Sequence, residues 1–514
     1  MNFVNLSVLA TVAASATTLT NASDNSDDSS STVLIIGAGA AGLAAAYQLQ
    51  QQGITDFLIV EAADSLGGRM KNFDFAERTV NEGAAWVQGT EGSWLWELVK
   101  ESGVNGHYSD FDNVILPIAD GDKYDGYYEQ LEDAWEREEE TLECMTKESN
   151  EMRKTGESDI SLRQAQKLCE WSTFQDRFSE LVEWWTFDFE YADAPATTSL
   201  KNSWPVSVYE IYQDEDYEIT DSRGWLPIFD LFNIPSSKIL LNSKVSQIKY
   251  DDSGATVVAT KTGNNGTITE ISLKADFVIC TFSFGVLQSD HKVLFDPPLP
   301  DWYVRELYKF DMNAYTRIYM HFPSNFWGDE EEFFMYADKK RGYYPIWQNM
   351  GVTYEDADYN VLMVTVTGME AMRIAQQTDE ETKAEAMDVL KTMFGSEIPG
   401  CLEIHVPGWI NDPLFRGSYS NWPIGTTEMD HVELGTPITE RLYLRGEGTS
   451  PELNGWVHGA LNEGRQVAKE IKSCIDDPYG GFCKCANDRA CSTYDVKKTT
   501  KKSKKSKKSK NQRF

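Results

Sequence analysis

The stretch Thr32–Met70, TVLIIGAGAAGLAAAYQLQQQGITDFLIVEAADSLGGRM, constrains the fold more than any other. Val33–Ile36 is a short apolar run of the kind that makes a parallel strand buried on both faces. Gly37, Gly39 and Gly42 follow at G-x-G-x-x-G spacing. In such a turn the first glycine lets the chain reverse and the second lets a pyrophosphate approach the backbone. The third lets a helix pack close to the strand. Leu43–Gln50, rich in Ala and Leu, reads as that helix. Its start offers free N–H groups and a positive dipole end to phosphate. Phe57–Val60 reads as the second strand, ended by Glu61. A carboxylate there accepts bonds from both hydroxyls of an adenosine ribose and repels a 2′-phosphate, which argues against NADP. Strand, glycines, helix, strand and acid stand in the order of one dinucleotide-binding unit.

This unit alone does not separate NAD from FAD. Gly67-Gly68-Arg69 comes next and suits a second close backbone approach to phosphate, with a guanidinium beside it. NEGAAWVQG, Asn81–Gly89, adds another glycine-rich turn that carries Trp86. An exchangeable nicotinamide needs an open crevice, whereas a long series of wrapping contacts suits a cofactor that stays.

The N-terminal unit resembles that of the flavin-containing amine oxidases. SYSNWPIG, Ser418–Gly425, and LYLRGEGTSPELNGWVHGALNEG, Leu442–Gly464, resemble that family's second flavin signature. Within the family the likeness is greatest to plant and fungal polyamine oxidases. It runs from about Thr32 to about Ile475 and includes RGYYPIWQN, NVLMVTVTG and TDEETKAEAMDVLKTMF. The resemblance implies a kept FAD. No Cys lies in the C-terminal signature, so noncovalent binding is expected. The implied fold is α/β (α+β). A Rossmann-like FAD-binding domain (32–95, 221–299 and 411–475) interleaves with a mixed-sheet-plus-helices substrate domain (96–220 and 300–410). Residues 96–220 read as a helical, acidic and aromatic insertion covering the flavin. Val245 falls where the family's backbone meets the adenine, and Glu447 falls beside the pyrophosphate. Trp422 matches an aromatic near the isoalloxazine, while Leu444 and Trp456 stand where plant enzymes carry other aromatics. The expected cofactor residues are therefore Gly37, Gly39, Gly42, Glu61, Gly68, Arg69, Trp86, Val245, Trp422, Glu447 and Trp456.

The family passes a hydride equivalent from the carbon beside an uncharged nitrogen to the flavin N5, and dioxygen then yields hydrogen peroxide. No metal is expected. The six His show no ligand spacing, and no serine-hydrolase elbow appears. The resemblance implies polyamine substrates. These cationic rods suit spaced carboxylates and aromatic walls. Glu190 in FDFEY matches one acidic tunnel residue, but its partner position is Gln88, which brings no charge. Nearby Glu91 is a candidate to compensate. Tyr315 matches a pocket aromatic. Two residues on, a family lysine that holds a water at N5 is replaced by Arg317, planar, wider and hard to deprotonate. The expected catalytic set is Arg317, Tyr315, Glu190, Gln88 and Trp456. Arg317 also suits a substrate carboxylate. An oxidase of another amine or of an amino acid therefore stays open, as does a catalytically silent flavoprotein.

Residues 1–20 read as a secretory signal, though without Lys or Arg at its start, and 21–31 as a polar leader. The expected location is extracellular, with vacuole or cell wall as alternatives. Asn21 and Asn265 begin N-x-S/T sequons. Cys474, Cys483, Cys485 and Cys491 crowd together around 476–496 and suggest one or two disulfides; a zinc site is the weaker reading. Cys144, Cys169, Cys280 and Cys401 are scattered, with Cys280 in an apolar run that reads as core. Net charge is −34, yet 497–514 is a basic low-complexity tail. That tail suits an anionic polymer, cell wall or membrane surface, or serves solubility alone. The acidic body would repel nucleic acid and draw polyamines inward. Acidic runs such as 136–140 and 214–218 read as solvated faces. Oligomeric state is not readable.

Overall fold

A computed structural model describes residues 30–116, 125–174, 176–213, 215–263 and 265–478. The signal, nearly all of the leader, Cys483, Cys485, Cys491 and the basic tail lie outside the described residues.

Strand β1 (Ser30–Ile36), helix α1 (Ala40–Gln51) and strand β2 (Phe57–Val60) form the first unit. β1 pairs in parallel with β2 on one side and with the long strand Ile268–Cys280 on the other. That long strand serves two neighbours. Its first part pairs antiparallel with Gly254–Thr262, and its last residues pair in parallel with Leu442–Leu444. The C-terminal flavin signature thus joins the sheet across the long strand from β1. The final helix, Val457–Asp476, closes onto α1, where a Cβ on Gly464 would meet the Ala41 carbonyl at 2.0 Å. β1 is buried from Val33 to Ile36, which accounts for its apolar sequence.

A second, six-stranded sheet draws on 114–115, 315–321, 333–335, 346–349, 361–367 and 403–405. Among the described residues no strand is shared between the two sheets. Helix Asp379–Phe394 packs over the second sheet and begins with a Thr378/Glu381 capping box.

The segment 96–220 is not helical throughout. Gly106–Tyr108 and Asp216–Ile219 are strands, and with Trp86–Gln88 they form a three-stranded sheet. Its partners are far apart in sequence, so no local pattern announces it. The two acidic runs also depart from the solvated-face reading. Glu138 is buried within the first, and Asp216 and Glu218 within the second. The scattered cysteines are not all unpaired either. Cys144 in helix 125–155 is bonded to Cys169 at the end of helix 162–168. Cys280 is a free thiol in the core, and burial pushes its pKa up to about 12. Cys474 is disulfide-bonded, as the crowding near it suggests.

Candidate active site

The glycine turn is built for close approach. Gly37 has φ +102°, and a Cβ there would meet Thr281 Oγ1 at 2.3 Å. A Cβ on Gly42 would stand 2.0 Å from the Gly37 carbonyl, so α1 can begin beside β1 only with glycine at that position. Gly39 differs. Nothing lies closer than 3.8 Å to its virtual Cβ, and the space is bounded by Gly67 and Gly68. Those two take φ +110° and +59°, so the second glycine pair backs the first turn. Gly39 caps α1 with no side chain, and the first turn holds no acid, which leaves its N–H groups to an anion. Glu61 accepts from the N–H of Ala38 at 2.6 Å and of Ala63 at 2.8 Å, at the edge of the same turn. Burial raises its pKa, and these backbone donors offset that in part. Val245 is buried in the core cluster that also holds Val60, at an irregularity in strand 243–251.

Arg69 ties this turn to the C-terminal signature. Its Nη1 donates to the Ser418 carbonyl at 3.0 Å and to Glu447 Oε2 at 2.9 Å. Glu447 Oε1 accepts from the Ser420 N–H at 3.0 Å, the Gly455 N–H at 2.7 Å and the Ser420 hydroxyl. Burial would raise the Glu447 pKa, but Arg69 and these donors outweigh it and hold it low. Ser418 passes the link onward, since its Oγ accepts from the Tyr315 N–H at 3.0 Å and donates to the Tyr315 carbonyl at 2.9 Å. Glu447 thus anchors Arg69 and, through Ser418, the strand that carries Tyr315 and Arg317.

The three-stranded sheet supplies the other wall. Trp86 pairs across it with Glu218, and Gln88 with Asp216. Period two puts all four side chains on one face. Arg317 is 2% exposed and its Nη2 donates to Glu218 Oε1 at 2.6 Å. Glu218 Oε2 is held by Gln348 Nε2 at 2.8 Å. The Arg317 guanidinium lies over the Trp86 ring, 4.6 Å from its centroid. Burial works against its charge, but Tyr319 and Glu218 outweigh burial and keep it cationic. Its Nε and Nη1 have no hydrogen-bond partner among the described residues. Trp86 itself donates to Ser109 at 2.9 Å, which fixes it on this wall.

Glu190 follows directly on a π-helical turn, Trp184–Asp188. Such turns mark local strain in a helix and cluster at functional sites. Arg341 clamps that turn through both oxygens of Asp188, at 2.8 and 2.5 Å, and through Glu183 at 2.8 Å. Burial raises the Glu190 pKa to about 7, with the Trp456 indole and the Tyr209 hydroxyl offsetting it in part. Its Oε1 has no hydrogen-bond partner among the described residues. Aromatic side chains stand around it. Tyr419 donates to the Glu190 carbonyl at 2.9 Å and lies 6.1 Å from Tyr315, centroid to centroid. Trp422 and Trp456 pack together at 5.1 Å. Gln88 is pinned from behind by His458 Nε2, which contacts its carbonyl at 2.8 Å. Burial lowers the His458 pKa to about 4, so the ring is neutral and donates. Glu91 sits on an exposed turn, bonded to Gln213 at 2.5 Å. Leu444 is buried in the core beneath the first sheet, beside Cys280.

Compared with known families, residues 40–472 match the one described as flavin containing amine oxidoreductase. The chain belongs to that family. It is 38% identical over 469 residues to Polyamine oxidase 1 of Zea mays, covering 86% of this chain and 90% of the maize protein. It is 38% identical over 457 residues to Polyamine oxidase 7 of Oryza sativa subsp. japonica, covering 84% and 93%. Wild-type putrescine oxidase bound to putrescine has the same fold, with a TM-score of 0.66 at 18% identity over 86% of this chain and 99% of that one.

This amine oxidase is FAD-dependent. The cradle fits the cofactor. The uncapped start of α1, the open space at Gly39 and the Gly67-Gly68 turn suit the pyrophosphate, and Glu61 keeps lone pairs for ribose hydroxyls. When bound, FAD supplies the acceptor for the hydride equivalent. The protein's own part is to exclude water, hold the amine and fix charges near it. Sequence reading named Glu190, Tyr315 and Arg317 but not Glu218, which pairs with Arg317, nor Tyr209 and its partner Asp216 beside Glu190, nor Arg341, which clamps the turn before Glu190. No local signal marks Asp216 and Glu218, since both are acids within an acidic run.

Proposed function

We propose that this enzyme oxidises polyamines, spermine or spermidine or their acetylated forms, giving an imine or aldehyde, an amine and hydrogen peroxide. One observation carries the reading. Glu190 places a buried carboxylate oxygen, without a hydrogen-bond partner among the described residues, beside Tyr315, Tyr419, Trp422 and Trp456, which is a site for an alkylammonium. Likeness to the maize and rice polyamine oxidases supports it. An amino-acid substrate fits less well. Its carboxylate would need Arg317, whose charge Glu218 already balances. FAD held noncovalently is part of the proposal. So is an exported protein, which the Cys144–Cys169 disulfide supports, because such bonds persist in oxidising compartments. The basic tail is proposed to bind an anionic polymer or surface.

The test is the visible spectrum of the purified holoenzyme before and after anaerobic spermidine or spermine. Bleaching, with return of colour and peroxide on admission of air, is the expected result. A flavin that amines leave unchanged would overturn the proposal.

A further inference from the structure

With Gln88 neutral, the substrate side lacks a carboxylate on the strand that faces Glu190. The neighbouring strand has one in register. Asp216 is the cross-strand partner of Gln88, is 9% exposed, and accepts from the Tyr209 hydroxyl through Oδ2 at 2.9 Å. The same hydroxyl faces the Glu190 carboxylate and the Gln88 amide. A phenol has one proton, and Tyr209 gives it to Asp216. Two buried carboxylates therefore converge on one phenol, and the groups that offset Glu190 are neutral. Asp216 also lines a cavity of about 270 Å³ with Tyr108, Ser109, Asp110, Phe111 and Glu215. Carboxylates with aromatic faces in one cavity suit an ammonium group.

We propose that Asp216 is a second ammonium site of the substrate channel. It takes over the charge that position 88 lacks and holds the neighbouring ammonium of a polyamine, a propyl or butyl spacer away from the nitrogen that lies against Glu190. The inference rests on the polyamine reading above and makes the enzyme selective for dications over monocations of equal length.

The test compares binding of 1,4-diaminobutane and butylamine to the anaerobic holoenzyme, followed by perturbation of the flavin spectrum. The native enzyme is expected to prefer the diamine. Asp216→Asn is expected to lose about 30-fold in diamine affinity, the lower end of what removing one partner of a buried charge pair costs, and to lose far less for butylamine. Adding Gln88→Glu to Asp216→Asn returns a carboxylate to the same point across the strands, so diamine affinity recovers. Equal losses for both amines, or no recovery, would overturn the assignment. Should Asp216→Asn fail to retain FAD, Gln88→Glu alone is expected to raise the diamine preference, and no change would overturn it. If spermidine bleaches the flavin yet Asp216→Asn keeps native diamine affinity, only the second site falls. A flavin that spermidine cannot bleach removes both readings.

Discussion

Arg317 Nη2 lies 2.6 Å from Glu218 Oε1, with the two side chains only 2% and 1% exposed. Neither charge has water to fall back on. Each is therefore tolerable only while the other is present. Glu218→Gln is expected to cost about 3 to 5 kcal/mol of stability, because it leaves a buried guanidinium without a counter-charge. Replacing both residues by methionine removes both charges and should cost far less. Urea unfolding of the holoenzyme measures both variants. A double variant as damaged as Glu218→Gln would show that the pair is not coupled.

Glu190 sets a pH dependence of its own. Burial raises its pKa from 4.5 to about 7, so the fold favours the protonated form. Its contribution to stability is full below the unfolded value of 4.5 and is lost as pH rises toward 7. Glu190→Gln is therefore expected to stabilise the protein above neutrality, by up to roughly 3 kcal/mol, with little effect at pH 5. The same variant should bind polyamines more weakly, since the amide brings no charge. Thermal unfolding at pH 5 and pH 8 checks the first point. A wild type and a variant with the same pH dependence would refute it.

The first unit was legible in the sequence because each requirement there is local. Gly42 must clear the Gly37 carbonyl five residues away, and β2 spans Phe57–Val60, the bounds its apolar run implies. Glu190, Tyr315 and Arg317 were legible through family likeness. Asp216 and Glu218 were not, because an acidic run gives no local sign of burial. What buries them is Trp86–Gln88 on one side and Gly106–His107 on the other, with Arg317 a hundred residues downstream. An interior arginine implies an interior acid, but the chain offers 81 Asp and Glu residues to choose from. Only the strand register selects Glu218. Cys144 and Cys169 were likewise brought together by helix packing that no spacing rule reveals.

The link from Glu447 through Arg69 to Ser418 predicts that cofactor retention and the catalytic strand fail together. Arg69→Ala leaves Glu447 buried beside only neutral donors and frees the Ser418 carbonyl. The expected outcome is a protein that purifies with much less FAD, read as the ratio of visible to ultraviolet absorbance. Arg69→Lys keeps the charge but cannot reach two acceptors with the same planar fork, so it should fall between. Full FAD occupancy in Arg69→Ala would show that the link is dispensable.

Gly39 and Gly42 separate cofactor binding from folding. A Cβ at Gly39 meets protein no closer than 3.8 Å, and the residue has an ordinary φ of −78°. Gly39→Ala should therefore leave the folded protein intact while its methyl occupies the space left for the pyrophosphate. A Cβ at Gly42 would lie 2.0 Å from the Gly37 carbonyl, which is backbone and cannot yield without moving β1 or α1. Gly42→Ala should lose both stability and FAD. Far-ultraviolet circular dichroism with thermal unfolding reads the fold, and FAD titration into stripped protein reads the site. For Gly39→Ala the expected result is a native dichroism spectrum with FAD affinity lowered by tenfold or more, about 1.4 kcal/mol. Native FAD affinity in that variant would mean that the pyrophosphate does not pass over Gly39 and that the open space there serves something else.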